Sequence, residues 1–191
     1  MMGSAPAIDF DAQLMLRVRE GDESCFHTLL DRHRNSLVHF LYRMVQDAGA
    51  AEDLAQEVFL RIYRSRTKYE ASAKFTTWMF RIATHTALNW LRDEKHTRRQ
   101  TDLEAQREVA DRHPSTEQRL VNGVRVAEIR TAIRNLPEKQ RAAVLMHKYE
   151  GMDYAQISGA LECSESAVKS LLFRAYESLR AQLAHLIRGD I

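Results

Sequence analysis

The chain has 191 residues, of which 45% are hydrophobic and 28% are charged, and its formal net charge is +2. This composition is typical of a soluble globular protein with one or two small domains, and no apolar run reaches the length of about 18 residues that a membrane span needs. No membrane insertion is expected. The first residues, MMGSAPAIDF, lack the basic and apolar segments of a signal peptide, which predicts a cytoplasmic protein.

Glycine and proline are scarce, with seven and three residues, and no segment alternates apolar and polar side chains as a strand does. The chain is therefore predicted to be all-α. Cys25 and Cys163 lie on separate predicted helices and are expected to be buried or half-buried thiols in a reducing compartment. His27, His33 and His39 recur every six residues, so they point to different helix faces and form no metal-ligand set.

A first helical block is predicted up to about His96. The apolar spacing predicts four helices in it: Phe10 to Glu20, Phe26 to Val45, a segment containing Leu54 and Ile62, and Phe75 to Arg92. Asp22 is the expected N-cap of the second helix. A turn is expected at Asp47 to Gly49 and a loop at residues 67–74.

The polar stretch HTRRQTDLEAQREVADRHPS follows this block and is poor in large apolar residues. It is predicted to be a flexible linker between two small helical domains. The resulting division is an N-terminal domain (1–96), a linker (97–115) and a C-terminal domain (116–191).

The C-terminal domain is predicted to begin with a helix that carries Ile133 and stops at Leu136-Pro137. A second helix is expected over Glu138 to Tyr149, and Gly151 is a plausible residue for its left-handed C-terminal cap.

Two further helices are joined by only three residues, Glu162-Cys163-Ser164. Asp153 is the expected N-cap of the first, Tyr154 to Leu161, and Ser164 is the expected N-cap of the second. Helices joined so closely must cross steeply, which predicts a helix-turn-helix. If its turn needs a positive φ, Glu162 costs about 1 kcal/mol relative to glycine. The expected shared core is Ile157, Leu161, Val168 and Leu172.

The outward face of the second helix is polar, as in a helix that enters the major groove of DNA. Lys169 and Arg174 can reach guanine acceptors or phosphates, Ser170 either base type, and Phe173 a thymine methyl. The alternative is an ordinary helix pair whose cations are merely solvated. The residues of this face are Ser166, Lys169, Ser170, Phe173, Arg174 and Glu177.

The segment GAAEDLAQEVFLRIYRSR begins acidic, with Asp53 and Glu57, and ends basic, with Arg61 and Arg64. An acidic face beside a basic face suggests two partners, one of which is not DNA. The alternative is simple helix stabilisation, because early acids and late bases complement the helix dipole.

Four segments together carry a family resemblance: GAAEDLAQEVFLRIY, FTTWMFRIATHTALNWLR, LPEKQRAAVLMHKYEGMDYAQISGAL and SAVKSLLFRAYESLR. In their order and separation they resemble the main blocks of an extracytoplasmic-function (ECF) sigma factor, a dissociable subunit of bacterial RNA polymerase. The resemblance implies that the first domain binds the clamp helices of the beta-prime subunit and melts the minus-ten promoter element. The second domain would read the minus-thirty-five element.

The resemblance also implies partners and site residues. Core RNA polymerase, including its beta subunit, and promoter DNA are the implied partners, together with an anti-sigma factor; no cofactor is implied. The implied polymerase-binding residues are Asp53, Leu54, Gln56 and Glu57. The implied minus-ten residues are Lys74, Phe75, His85, Thr86, Asn89 and Arg92. The implied minus-thirty-five residues are Ser166, Ala167, Lys169, Ser170, Phe173 and Arg174. Trp78 and Trp90 are expected to pack in the core.

Several residues depart from the usual pattern of the resembled family. His85 stands where asparagine is usual, at a position associated with holding a flipped base. Ser166-Ala167 replaces Gly-Thr, and Leu171 and Tyr176 replace arginines. The loss of two cations removes up to about two phosphate contacts, so weaker and less salt-sensitive upstream binding is expected.

Three functions follow from these observations. The first is a sigma factor without catalytic activity, whose roughly 20-residue linker averages near 25 Å but extends up to about 70 Å, enough for two elements a couple of duplex turns apart. The second is an autonomous helix-turn-helix regulator, which leaves residues 49–96 unexplained. The third is a sigma-like interaction module that no longer reads promoters. No nucleophile constellation, phosphate loop or metal set indicates an enzyme.

Overall fold

The computed structural model of the chain describes residues 9–101 and 117–188, with side chains over residues 9–97 and 125–186. These residues form helices and no strand, as predicted. The helices are α1 (Phe10–Arg19), α2 (Glu23–Val45), α3 (Ala48–Arg64), a 3-10 helix (Arg66–Lys68), α4 (Phe75–Thr101), α5 (Glu117–Arg134), α6 (Glu138–Tyr149), α7 (Tyr154–Leu161), α8 (Glu165–Gln182) and α9 (Ala184–Arg188). Within the described ranges, none of them has both the length and the hydropathy that crossing a bilayer requires.

Aspartate caps begin the helices of the first block. Asp9 and Asp47 accept hydrogen bonds from the first turns of α1 and α3. Asp22 accepts from the amides of Ser24 and Cys25 at the start of α2, which confirms the predicted cap. The hydrogen bond from the Ser24 side chain is the largest cause that lowers the pKa of Asp22 to about 2.

Helix α4 buries one apolar face in the first block and is longer than predicted. The sequence predicts its end at Arg92, with a linker from Thr97, but the helix continues to Thr101. The helix therefore extends into the first residues of the predicted linker, because a polar segment without proline or glycine has no reason to end a helix. Residues 102–115 of the predicted linker lie outside the described residues. The buried apolar residues of α4 are Phe75, Met79, Phe80, Ala83 and Ala87.

The helix-turn-helix has the caps and the core that the sequence predicts. Asp153 and Gln156 form a reciprocal capping box at the start of α7. Ser164 Oγ accepts from Ala167 N at 3.2 Å at the start of α8. Gly151 has the left-handed φ of +63° after α6 that was expected of it. The predicted shared core is fully buried: Ile157, Leu161, Val168 and Leu172.

Two non-glycine residues adopt the left-handed conformation at helix ends. Glu162 ends α7 with φ +50°, so the turn does need the positive φ that was considered from the sequence. Gln46 ends α2 with φ +60°, and Asp47 follows directly as the cap of α3. The predicted turn at Asp47 to Gly49 is therefore shorter, because Gly49 already lies inside α3.

The two blocks pack against each other, with α7 lying across α4 and α6 against α2. At the first contact, a Cβ atom on Gly159 would lie only 3.0 Å from Cγ2 of Thr77. At the second, Ser36 Oγ donates to Glu150 Oε2 at 2.6 Å. The buried apolar residues of both blocks form one continuous cluster.

Arg141 is a buried cation that holds three backbone carbonyls at this junction. Its guanidinium donates to the carbonyls of Met44 and Arg134, at the ends of α2 and α5, and to Leu136 O at 3.2 Å. The last carbonyls of a helix have no partner within it and form the negative end of its dipole, which suits a cation. Burial lowers the pKa of Arg141, and the nearby Glu138 carboxylate raises it.

We predict that Arg141→Ala lowers the free energy of unfolding by about 3 kcal/mol, because it leaves buried carbonyls without donors. Lys139→Ala, an exposed change on the same helix, should alter it by less than about 0.5 kcal/mol. Chemical denaturation followed by circular dichroism measures both. Equal stability of the two variants would show that Arg141 is not structurally important.

Candidate polymerase and nucleic-acid interfaces

The acidic face of α3 contains three of the four predicted polymerase-binding residues. Asp53 and Gln56 are exposed, and Glu57 is half-exposed and forms an ion pair with Arg61 at 2.5 Å. Leu54 is only 5% exposed and packs in the core of the first block. In this conformation the Leu54 side chain cannot contact polymerase directly, because it packs in the core beneath α3.

An apolar groove between α2 and α3 adjoins this acidic face. Its volume is about 450 Å³, and Gln56 is part of its wall. Leu60, which also lines it, is an exposed large apolar side chain, with 54% of its surface accessible to solvent. The sequence carried a signal for this groove: consecutive Phe59 and Leu60 cannot both face the core of one helix. The other apolar lining residues are Phe26, Leu30, Phe59 and Tyr63.

Two of the six predicted minus-ten residues are buried. Phe75 is completely buried; its ring is tilted against the His33 ring and meets the Trp78 ring edge to face. Thr86 is 2% exposed, and its hydroxyl donates to Ile82 O at 2.9 Å. The prediction that these two side chains contact a base is wrong for this conformation, because both lie on the face of α4 that packs in the first block. Trp78 is half-buried against the same core, as is Trp90.

The exposed minus-ten residues fall into two places. His85, Asn89 and Arg92 follow one another at helical spacing along α4 and line a cleft of about 990 Å³ between α4 and α6. Lys74 lies before the start of α4 and lines a different pocket. The cleft is also lined by basic side chains that the site prediction omitted, although their positions are visible in the sequence: Arg61, Lys95, His96 and Lys139.

Two carboxylates of the second block reach the cationic side of α4. Glu162 Oε2 lies 3.1 Å from His85 Nε2, and Glu162 Oε1 lies 3.7 Å from Arg81 Nη1. Glu138 Oε1 accepts from Lys95 Nζ at 2.5 Å. The residues that a DNA strand would contact are thus opposite acidic groups of the same chain.

Helix α8 exposes the row of residues predicted to read DNA. Phe173 is 69% exposed, Arg174 and Ser166 are exposed, and Ser170 donates to Ser166 O at 3.1 Å. Lys169 Nζ lies 6.0 Å from the centre of the Tyr154 ring. Ala167 differs from the others: it is half-buried and its amide is taken by the N-cap.

The two residues of α8 that replace cations have structural contacts. Leu171 is half-buried against the core. The hydroxyl of Tyr176 lies 2.9 Å from His147 Nδ1 on α6, and partial burial raises the pKa of Tyr176. Both positions therefore contribute to the packing of the helix-turn-helix.

Cys25 is buried and Cys163 is half-buried, and both are free thiols, as the sequence predicts. Across the residues that the structure describes, no group of three histidine, cysteine or acidic side chains could hold a metal ion.

Comparison with known proteins assigns both blocks. Residues 29–97 match the family profile described as Sigma-70 region 2, and residues 127–179 match Sigma-70, region 4. The chain is 32% identical to RNA polymerase sigma-H factor of Pseudomonas aeruginosa over 93% of this chain and 96% of that protein. It is 30% identical to the ECF RNA polymerase sigma-E factor of Escherichia coli K12, again over 93% of this chain and 96% of that protein.

A solved structure has the same fold. The sigma factor RpoE of Bartonella quintana, in complex with the anti-sigma factor NepR, superposes with a TM-score of 0.67 and 20% identity. The match covers 87% of this chain and 98% of that one. The arrangement of helices is therefore one that a sigma factor adopts.

We predict that Phe75→Ala lowers the free energy of unfolding by about 3–5 kcal/mol, because it leaves a cavity in the core. Lys74→Ala, its exposed neighbour, should change it by less than about 0.5 kcal/mol. Thermal denaturation of the two variants checks this difference. A Phe75→Ala protein of unchanged stability would restore Phe75 as a candidate DNA contact.

Proposed function

The chain belongs to the sigma-70 family of RNA polymerase sigma factors, in its ECF group. From this membership we propose which of its surfaces contact polymerase and which contact promoter DNA. As a sigma factor it directs transcription, and core RNA polymerase and promoter DNA are its partners. The single observation that carries the proposal is that one chain exposes an acidic and apolar face on α3, a cationic face on α4 and a row of candidate DNA-contacting residues on α8. These three surfaces suit contacts with polymerase, the minus-ten element and the minus-thirty-five element.

The polymerase contact is assigned to α3 and the groove beside it. Asp53, Gln56 and Glu57 supply polar and acidic groups, and Leu60 supplies an exposed apolar anchor. An amphipathic helix of a partner fits such a groove, with its apolar face inside and its cations at the acidic rim. The clamp helices of the beta-prime subunit are the proposed occupant.

The minus-ten contact is assigned to the cationic side of α4. His85, Asn89 and Arg92 lie along one edge of the helix, and Arg61 and Lys95 lie beside them. A strand held there would have its phosphates near the cations and an unstacked base near His85, whose ring can donate, accept and stack. Unstacking a base costs a few kcal/mol, which contacts in the pocket must offset. Buried Phe75 and Thr86 are removed from the contact surface.

The minus-thirty-five contact is assigned to α8 in the major groove. Lys169 and Arg174 are the candidate contacts to guanine or phosphate, and Phe173 is the candidate contact to a thymine methyl. Leu171 and Tyr176 pack against the protein, so they leave this surface with fewer cations than the family usually has there. We expect a correspondingly shallow dependence of upstream binding on salt.

The alternative of an autonomous regulator is not favoured, because it gives no role to the segment that matches region 2. An interaction module that no longer reads promoters would bind core polymerase as a sigma factor does, but it would not start transcription. An anti-sigma factor is a predicted partner that follows from family membership. The chain has no proposed catalytic activity.

Transcription with purified core polymerase from a library of random promoters tests the function. We expect transcripts that share two upstream motifs separated by a fixed spacing. Core binding without any transcript would support the interaction module. Tight binding of intact duplex without polymerase, and no transcript, would support the autonomous regulator.

We predict that polymerase binding and duplex binding can be impaired separately. Arg174→Ala should weaken binding of a minus-thirty-five duplex roughly tenfold, since a bidentate base contact discriminates by about 1–3 kcal/mol, and leave core affinity unchanged. Asp53→Ala with Glu57→Ala should weaken core affinity and leave duplex binding unchanged. Fluorescence anisotropy with labelled duplex and labelled core measures both affinities.

Arg17→Ala is the matched control for Arg174. Arg17 is exposed on α1, in the first block, where it forms an ion pair with Asp22. Its replacement should change duplex affinity by less than twofold. Equal losses of both affinities in either of the tested variants would contradict the assigned surfaces.

A further inference from the structure

Helix α1 packs beside the loop that leads into the proposed minus-ten helix. This loop, residues 65–74, joins α3 to α4 and includes the 3-10 helix. Helix α1 contacts both this 3-10 helix and α4. The segment that matches region 2 begins at residue 29, so α1 lies outside the matched residues. A helix outside that segment therefore borders the start of a proposed DNA-binding surface.

The N-cap position of α4 is occupied by a residue that cannot cap the helix. The carbonyl oxygen of Lys74 accepts the first helical hydrogen bonds, from Thr77 N at 3.0 Å and Trp78 N at 3.4 Å. A lysine side chain carries donors and no acceptor, so it cannot bond the free amides of a first turn. Asp9 provides the acceptor instead, because its Oδ2 accepts from Phe75 N at 3.2 Å. The cap of α4 therefore comes from a residue 66 positions earlier in the chain.

The Asp9 carboxylate joins two helices, since each of its oxygens accepts from a different amide. Oδ1 accepts from Ala12 N at 2.7 Å and caps α1, while Oδ2 accepts from Phe75 N. A carboxylate can do this because both of its oxygens are acceptors, whereas the side chain of asparagine has one acceptor oxygen and one donor group. The start of α4 is therefore tied to the start of α1 through one side chain.

A second contact from α1 holds the middle of the loop. Arg19, the last residue of α1, donates from Nη1 to Tyr69 O at 3.1 Å. Among residues 65–74, all of which the structure describes, only Tyr69 has a buried side chain. Its ring centre lies 4.8 Å from that of Trp78 on α4. The two ends of α1 thus fix the loop at two points.

Helix α1 is itself fixed to the first block. Asp11 accepts from Arg32 Nε at 2.8 Å and lies 2.9 Å from His33 Nε2, and both partners belong to α2. Most of the loop, by contrast, has exposed or half-buried side chains and little core of its own. Its position therefore depends on α1. The buried residues of α1 are Ala12, Leu14, Met15 and Val18.

The loop carries a predicted DNA contact whose place is set by these bonds. Lys74 is exposed and directly precedes Phe75, the residue whose amide Asp9 binds. Lys74 and His85 are eleven residues apart, which corresponds to about 16 Å along a helix axis. A strand that contacts both side chains presents a particular base to His85 only if Lys74 holds a fixed position relative to α4.

On the basis of the proposed function, we propose that α1 positions the loop of residues 65–74 for the minus-ten strand, with Asp9 and Arg19 as the positioning residues. Asp9 fixes the start of α4, and Arg19 fixes the backbone of the loop. Neither side chain contacts DNA in this role. Loss of either bond lets the strand shift along α4, so that discrimination between minus-ten bases falls while polymerase binding and minus-thirty-five recognition are kept.

Asp9→Asn tests the shared carboxylate without removing the cap of α1. Asparagine caps a helix as well as aspartate does, so its one acceptor oxygen can serve Ala12 N, and Phe75 N then has no acceptor. Discrimination is measured as the ratio of transcription rates, with core polymerase, from templates that carry a preferred or a disfavoured minus-ten base. We expect this ratio to fall about three- to tenfold. A ratio of rates does not depend on the folded fraction, so a purely structural loss would leave it unchanged.

Asp47→Asn is the matched control in the same block. Asp47 caps α3 through one bond, from Ala50 N to Oδ1 at 2.8 Å, and one acceptor oxygen is enough for that. This variant should discriminate between minus-ten bases as the unchanged chain does. In both variants, core affinity and minus-thirty-five preference should change by less than twofold. Unchanged discrimination in Asp9→Asn, or an equal loss in both variants, would overturn the proposal.

Arg19→Ala tests the second bond, and the salt dependence of promoter binding separates positioning from a direct phosphate contact. A lost phosphate contact lowers the slope of log affinity against log salt concentration by about one unit. We expect an unchanged slope and a loss of base discrimination of about threefold. Arg17→Ala, on the same helix but paired with Asp22, should change neither quantity. A lower slope with unchanged discrimination would make Arg19 a DNA contact and overturn its positioning role.

Amide hydrogen exchange of the free chain tests the hold on the loop without polymerase. Asp9→Asn should speed exchange across residues 66–76 at least fivefold, and Asp47→Asn should leave it unchanged. If the unchanged chain never transcribes, the proposed function fails, and exchange then decides alone whether α1 holds the loop. Exchange that is no faster in Asp9→Asn would overturn the proposal.

Discussion

The structure depends on α4 having three faces with three different tasks. One face carries Phe75 and Met79 into the core of the first block, and a second receives α7 around Thr77. The third, marked by His85 and Arg92, is polar and lines the cleft toward α6. A helix has 3.6 residues per turn, so these faces interleave along the sequence, and neighbouring residues serve different partners. A change that rotates α4 would disturb the core, the contact between the blocks and the proposed DNA surface together.

The contact between the blocks combines one continuous apolar cluster with smaller polar contributions. Exposed ion pairs such as those of Glu162 contribute about 0–1 kcal/mol each. Each buried hydroxyl without a partner, as in Thr77 and Thr84, costs about 1–3 kcal/mol. Arg141 links the two blocks, because it donates to Met44 O in the first block and to Arg134 O and Leu136 O in its own block.

The sequence predicts local structure well where one residue determines it. Asp22 and Ser164 are caps as predicted, because an N-cap needs only a side-chain oxygen and nearby amides. Phe75 and Thr86 were assigned to DNA by motif position, although both fall on the apolar stripe of α4 and are buried. The packing of Gly159 on Thr77 was not predictable, since it joins segments more than 80 residues apart through shape and not through any local pattern. Family resemblance identifies which segments carry function, and burial decides which side chains can touch a partner.

The departures in α8 exchange positive charge for packing. Leu171 and Tyr176 contribute packing and a hydrogen bond to His147 instead of positive charge, which leaves Lys169 and Arg174 as the proposed cationic DNA contacts of α8. A reader with few phosphate contacts binds non-specific duplex weakly, because most of that affinity comes from released counterions. We therefore expect selectivity to arise after assembly with polymerase, when the two proposed DNA-binding domains act on one promoter and each raises the effective concentration of the other.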